Sequence, residues 1–261
     1  MTDVGTRVRT AVVPSAALPR HRSLAGYLVM PAILASACLI MYLYVSSREL
    51  DSIEARSLNA AALATATWEH IQLTAVSTLL TLVIAVPLGI LLTRPFTRRF
   101  RPYLITLLTL GQAIPTIAVL VLLAVAFLFL GFQAAVVGLV LYAIIPVLLN
   151  TMVGLEQVDE SVLEAGRGMG ISKSGVLFRL ELPLSVPIIL AGVRTALVIN
   201  VGTATLTTYI NAGGLGDIIV AGLSTNRVLI QIIGAALTAV LALLIDYLAG
   251  IAEDFLRPKG L

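Results

Sequence analysis

The chain has 261 residues, of which 59% are hydrophobic and 12% charged, with a formal net charge of +3 and a mean hydropathy of +1.02. Soluble domains hold about 45–50% apolar residues, so this composition excludes a string of soluble domains and points to one all-α polytopic bundle in a lipid bilayer. The single cysteine, Cys38, excludes an internal disulfide and any Cys-based metal site. The basic excess gathers at the ends of apolar runs, where it orients a membrane protein, so no nucleic-acid partner is read from it.

A membrane-crossing helix takes about 20 largely apolar residues. Six runs meet that length: 27–47, 71–93, 103–130, 133–153, 186–208 and 228–250. The first follows a polar arm, residues 1–26, and outruns the roughly 7–15 residues of a signal-peptide core, so it reads as a retained span. Arg7, Arg9, Arg20 and Arg22 precede it, and Arg94, Arg98, Arg99 and Arg101 fill the second connection. Arg167, Lys173 and Arg179 lie in the fourth connection, and Arg257 and Lys259 in the tail, residues 251–261. The opposite side holds only Arg48, Arg56 and Arg227, so both termini are expected in the cytoplasm.

The third run carries Gln112 and Pro115. A proline removes a backbone donor, and in a bilayer that survives only where protein or a wet cavity satisfies the freed carbonyl. Two readings follow: a packing kink, or a helix lining a path, to which Asn200 of the fifth run would add a polar group.

The long cytoplasmic segment 155–185 is expected to fold as helix, glycine turn and helix. Ser161 and Glu164 have capping-box spacing, Gly166, Gly168 and Gly170 interrupt the first helix, and a second runs from Ser172 to Leu182-Pro183. Gly166 to Ser174 superficially resembles a phosphate loop, but Ser172 stands where that loop needs the glycine before its lysine, so no ATP site is expected. Hydrolytic chemistry is disfavoured too, because the histidines are only His21 and His70, and Asp217 and Asp246 fall near opposite membrane faces.

Arg194 and Asp246 lie inside the fifth and sixth runs at similar depth, about 10 Å in from their helix ends at 1.5 Å per residue. An unpaired charge there is costly, so a salt bridge is expected; the alternative is that each snorkels to the interface. Between those runs, Gly213-Gly214-Leu215-Gly216-Asp217 permits a tight turn and a short re-entrant half-helix through Leu223, an outer gate or an ordinary flexible loop. Trp68, the only tryptophan, is expected to anchor at the membrane interface.

Glu164-Ala165-Gly166, Gly170 and Leu180-Glu181-Leu182-Pro183 together resemble the EAA motif of ABC importer permeases. The resemblance implies a type I importer fold in a bacterial inner membrane. In it Glu164, Ala165, Gly166 and Arg167 belong to a coupling helix seated on a separate ATPase, Gly170 permits the turn, and Pro183 starts the return to the membrane. Gly166 stands where the motif usually has alanine, and Leu180 where it usually has isoleucine. Further segments, Leu92-Thr93-Arg94, Gln112 with Pro115, Ala191 to Thr195, Gly213 to Asp217 and Pro258 to Leu261, resemble permeases for glycine betaine, carnitine and choline. The implied partners are ABC ATPase subunits holding ATP-Mg, a second permease copy or paralogue and an extracytoplasmic substrate-binding protein, with no cofactor in this chain. The expected domains are the arm 1–26, an extra span and external loop 27–69, the transport unit 70–250 and the tail. An amino acid or oxyanion remains an alternative solute. A secondary transporter or channel is the rival class, which the apolar centres of the spans oppose.

Overall fold

The computed structural model describes residues 24–256, so the arginines of the N-terminal arm and the tail's Arg257 and Lys259 lie outside the described residues. Every regular element among them is helical. Five helices are long and apolar enough to cross a membrane, and a sixth crossing is counted if one sharply bent pair forms a single span.

Helix α1, Leu24–Ser46, is apolar on all sides and packs along α11, Val228–Leu256. At its start the Tyr247 hydroxyl donates to the Tyr27 carbonyl at 2.5 Å, and the Tyr27 hydroxyl donates to Asp254. Most of its surface is left to lipid. The short external α2, Ser52–Ser57, is capped by Asp51, which accepts the Glu54 and Ile53 N–H groups. Those two donors, with Arg227 nearby, hold the Asp51 carboxyl below the usual carboxylate range.

Helix α3, Ala60–Leu92, starts eleven residues before the expected position 71, because Asn59 caps it by accepting the Ala62 N–H at 2.9 Å and alanine-rich sequence propagates it. The expected division between residues 69 and 70 therefore falls inside a helix. Its buried face runs His70, Leu73, Thr74, Ser77, Thr78, Thr81, Ala85, Gly89 and Leu92, the three-and-four spacing of one helical stripe. Thr74, Ser77 and Thr81 return their hydroxyls to carbonyls of their own helix.

The third expected span is not continuous. It is two helices, α4 Arg101–Gln112 and α5 Thr116–Ala126, meeting at 87°. Pro115 disfavours the helical conformation of the residue before it, which ends α4. Helix α6, Gly131–Glu156, then secures the corner: Gln112 donates to the Tyr142 carbonyl at 2.8 Å, and the Tyr142 hydroxyl donates to the Ile114 carbonyl.

Helix α6 is the axis of the bundle, packed between α3 and α9, Leu182–Thr203. Leu139, Val147, Leu148 and Met152 of α6 meet Leu73, Ala85 and Leu92 of α3 and Ala196 of α9 in two adjoining cores. Small residues permit the close approach: a Cβ on Gly192 would lie 2.7 Å from the Pro146 carbonyl oxygen. Between α6 and α9 lie α7, Glu160–Gly168, and α8, Lys173–Val176, and α10, Leu215–Ser224, precedes α11.

Candidate functional site

Helix α7 departs from the expected cap. Asp159, not Ser161, is its N-cap, accepting the Ser161 N–H at 2.9 Å. The Ser161 backbone and hydroxyl donors hold the Asp159 carboxyl below its usual range, so a carboxylate at this position satisfies the helix end better than the hydroxyl two residues later. The helix also continues through Gly166 and Gly168 and is broken only at Gly170, whose φ of +81° is the left-handed conformation that glycine alone adopts freely. Leu163 and Gly166 face inward, whereas Val162, Glu164, Ala165, Arg167 and Met169 are exposed. Arg167 pairs with Glu160 at 2.7 Å, and no ion pair among the described residues uses Glu164.

The two departures from the EAA pattern turn out to be one feature. A Cβ on Gly166 would lie 2.6 Å from Leu180 Cδ1, so the missing methyl makes room for a leucine that reaches where a β-branched residue would not. Leu180 fills the space beside Gly166, and α7 runs as regular helix through that position.

Ser172 starts the second helix as expected, accepting the Gly175 N–H at 3.2 Å. It does not stop at Leu182-Pro183. A π turn, Leu177–Glu181, joins α8 to α9 in one continuous path into the membrane, with Pro183 in the first turn of α9, where its missing N–H costs least. The π turn buries Glu181, whose carboxylate accepts Arg94 from the end of α3 at 2.5 and 3.4 Å. A cavity of about 700 Å³ opens beside this pair, lined also by Pro87, Arg167 and Lys173.

At the opposite end of α9, the 3-10 segment Ala204–Ile210 follows it and a turn leads to α10, the short half-helix expected there. Gly214 has φ +98° and lies against His70; its N–H donates to Glu69 at 3.0 Å. The Leu215 N–H donates to His70 Nδ1 at 3.3 Å, which puts the ring proton on Nε2, the donor to the Val201 carbonyl at 2.9 Å. Gly216 sits on the backbone of Thr205, and Asp217 accepts the Thr208 hydroxyl. The glycine run is thus a clasp between α3, the 3-10 segment and α10. Trp68 is 60% exposed at this level, a position open to the interface.

Inside the bundle, Asn200 is fully buried and its amide donates to Thr78 at 2.9 Å, leaving Oδ1 without a partner. Gln112 and Pro115 form the α4–α5 corner, which side-chain hydrogen bonds tie to Tyr142 of α6. Arg194 and Asp246 come together: the guanidinium donates from Nη2 to Oδ2 at 2.6 Å and from Nε to Oδ1, a two-point pair tying α9 to α11. Arg194→Gln and Asp246→Asn are each expected to lower the amount of folded protein. The double variant should cost less than the two together, as coupled neighbours require, with detergent melting profiles as the measurement. Strictly additive losses would show that the two charges do not support one another.

Sequence reasoning passed over Glu69, His70, Arg94 and Glu181 as site residues. Two of them stand in segments that carry the family resemblance, Arg94 after Leu92-Thr93 and Glu181 before Leu182-Pro183, but their partners are 87 to 145 residues away.

Comparison with known proteins agrees with this geometry. Residues 85–258 match the family described as binding-protein-dependent transport system inner membrane component. The carnitine transport permease protein OpuCD of Listeria monocytogenes is 41% identical over 192 residues, covering 73% of this chain and 85% of the relative. The choline transport system permease protein OpuBB of Bacillus subtilis is 36% identical, covering 75% and 88%, and the osmoprotectant import permease protein OsmY of Salmonella typhimurium is 35% identical, covering 80% and 87%. Among solved structures, the inward-facing methionine transporter MetNI is similar at a TM-score of 0.66 and 24% identity, over 75% of this chain and 96% of that one, a likeness of fold. Subunits of this kind bind no cofactor themselves and work with a separate ATPase that holds the nucleotide. With five membrane-length helices, one sharply bent pair and a helix–turn–helix between α6 and α9 in place, the chain belongs to the binding-protein-dependent transport system inner membrane component family and is a permease subunit of an ABC importer.

Proposed function

We propose that this permease carries quaternary-ammonium osmoprotectants of the glycine betaine, carnitine and choline class. The observation that carries the reading is that relatives named for these solutes match most of the chain at 35–41% identity. The single tryptophan, Trp68, is 60% exposed and so is not enclosed in an aromatic cage of the kind that grips a quaternary ammonium tightly. High affinity then resides in an extracytoplasmic binding protein, and the permease offers a weakly binding path. The transport unit is residues 70–250, paired with a second copy or a paralogue, with Gln112, Pro115 and Asn200 along the path and Gly213, Gly214, Gly216 and Asp217 at the outer gate.

In the same reading α7 is the coupling helix. Its exposed Val162, Ala165 and Met169 recur at helical spacing beside Glu164, a small apolar face with one carboxylate that no other described residue covers. Reconstituted with its ATPase and binding protein, the permease should import glycine betaine, carnitine or choline only with ATP. Uptake of an amino acid or oxyanion in place of these three would replace the substrate assignment.

The orientation in this reading places both termini in the cytoplasm of a bacterial inner membrane. In a Cys38→Ser background, single cysteines at Ser52 and Ser224 should react with an impermeant thiol reagent added to intact cells, and cysteines at Thr97 and Ser174 should not. Outside labelling at Thr97 or Ser174 would invert the topology.

A further inference from the structure

Two clusters of bonds sit 25 residues apart along one helix, one just past the end of α3 and the other at Glu69 and His70, nine residues in from its start. At the cytoplasmic end Arg94, just past α3, is tied to its own helix through Nε and the Ile90 carbonyl at 3.2 Å and holds the buried Glu181 of the π turn at 2.5 Å. That turn continues α8, the second half of the cytoplasmic helix–turn–helix. At the outer end Glu69 and His70 hold the N–H groups of Gly214 and Leu215, the entry to α10. Residues 69 and 94 are joined by helix that runs unbroken to Leu92, through Pro87, a length of about 37 Å at 1.5 Å per residue.

Between these ends α3 is held sideways mainly by packing. Among the described residues, the Thr78–Asn200 bond is the only side-chain hydrogen bond from residues 71–92 to another helix. Its other hydroxyls are spent on their own carbonyls, and the remaining amide oxygen of Asn200 has no partner. Such a surface resists bending of the helix but offers few directional bonds to its small displacement along its neighbours. The cavity of about 700 Å³ beside Arg94 and Glu181 leaves room for that displacement at the cytoplasmic end.

We propose that α3 is a strut: the Arg94–Glu181 pair hands movement of the coupling turn to α3, and Glu69 with His70 delivers it to the Gly213–Gly214 turn and α10. Arg94, Glu181 and Glu69 are positioning residues that link the ATPase face to the outer gate. The proposal rests on the coupling role assigned above to α7. It requires that the two ends be energetically one unit, which mere proximity does not establish.

The test uses the assembled transporter in liposomes, with uptake and ATP hydrolysis measured separately. Arg94→Gln, Glu181→Gln and Glu69→Gln should each keep hydrolysis while uptake per ATP falls about tenfold, the size of a typical coupling between sites. Exchanging the charges, Arg94→Glu with Glu181→Arg, should restore most of the uptake. Arg94→Gln combined with Glu69→Gln should be no worse than the more damaged single variant, because both break the same chain of contacts. The strut is overturned if uptake and hydrolysis fall in parallel, or if the Arg94 and Glu69 deficits multiply. The second measurement decides the matter even where the exchanged pair fails to fold. Transport by the unaltered chain without ATP would instead remove the coupling role of α7, and the strut with it.

Discussion

Gly216→Ala is expected to dislodge α10 and cut uptake by more than tenfold. A Cβ at this position would stand 2.1 Å from the carbonyl oxygen of Thr205 and 2.9 Å from its carbonyl carbon. Both are backbone atoms, so no side chain can swing aside, and either the 3-10 segment Ala204–Ile210 or α10 must shift as a body. Overpacking of a close-fitted contact costs about 1–3 kcal/mol, and more where backbone must move. The Glu69 and His70 bonds to Gly214 and Leu215, immediately before the altered residue, would be strained by the same movement. The measurement is the detergent melting temperature alongside uptake. Gly202→Ala is the comparison, since a Cβ there meets nothing within 4 Å, and it should be neutral or slightly stabilising within α9. Equal stability of the two variants would mean that α10 does not rest on the Thr205 backbone.

Glu164→Arg is expected to abolish productive coupling while leaving the protein inserted. The side chain is exposed on α7 and uses no ion pair among the described residues, so its replacement disturbs nothing within the chain. Its effect should fall entirely on the ATPase contact. Reversing one charge of a desolvated interfacial pair leaves two like charges facing each other, and losing such a pair costs about 2–5 kcal/mol, a loss in association of more than about 30-fold. Uptake and binding-protein-stimulated ATP hydrolysis should fall together, with normal protein in the membrane. Glu160→Gln provides the contrast on the same helix: its pair with Arg167 is exposed on both sides and worth about 0–1 kcal/mol, so transport should change little. Normal uptake by Glu164→Arg would make Glu164 a solvated helix residue and nothing more.

Much of this architecture was legible in the sequence for local reasons. Run length alone located α1, α6, α9 and α11, because a bilayer accepts only helices of about 20 residues with all backbone groups paired internally. The second cytoplasmic helix was legible from Ser172, and the outer half-helix from the glycines before Leu215, since caps and turns act over three or four residues. Motif spacing across 164–183 carried the family, and with it the partners that a permease without a nucleotide site requires.

Apart from the Arg194–Asp246 pair, which equal depth in two spans had suggested, the tertiary structure alone decided the bonds between distant segments. Pro115 announced a bend, but the 87° corner depends on Tyr142 of α6 being placed to accept and donate at its two sides. The start of α3 at Ala60 was obscured because polar residues such as Glu69 and His70 read as the end of an apolar run; the fold instead buries His70 and half-buries Glu69 at the entry to α10. Gly166 and Leu180 read as two separate departures until the fold set the Leu180 side chain against the Gly166 backbone. Arg94 and Glu181 read as an orienting charge and a motif letter, because a charge's partner is set by where two helices end in space, 87 residues apart along the chain. Periodicity and capping are written in neighbouring residues, whereas pairing across a bundle is written in the packing of whole helices, and only the folded chain displays it.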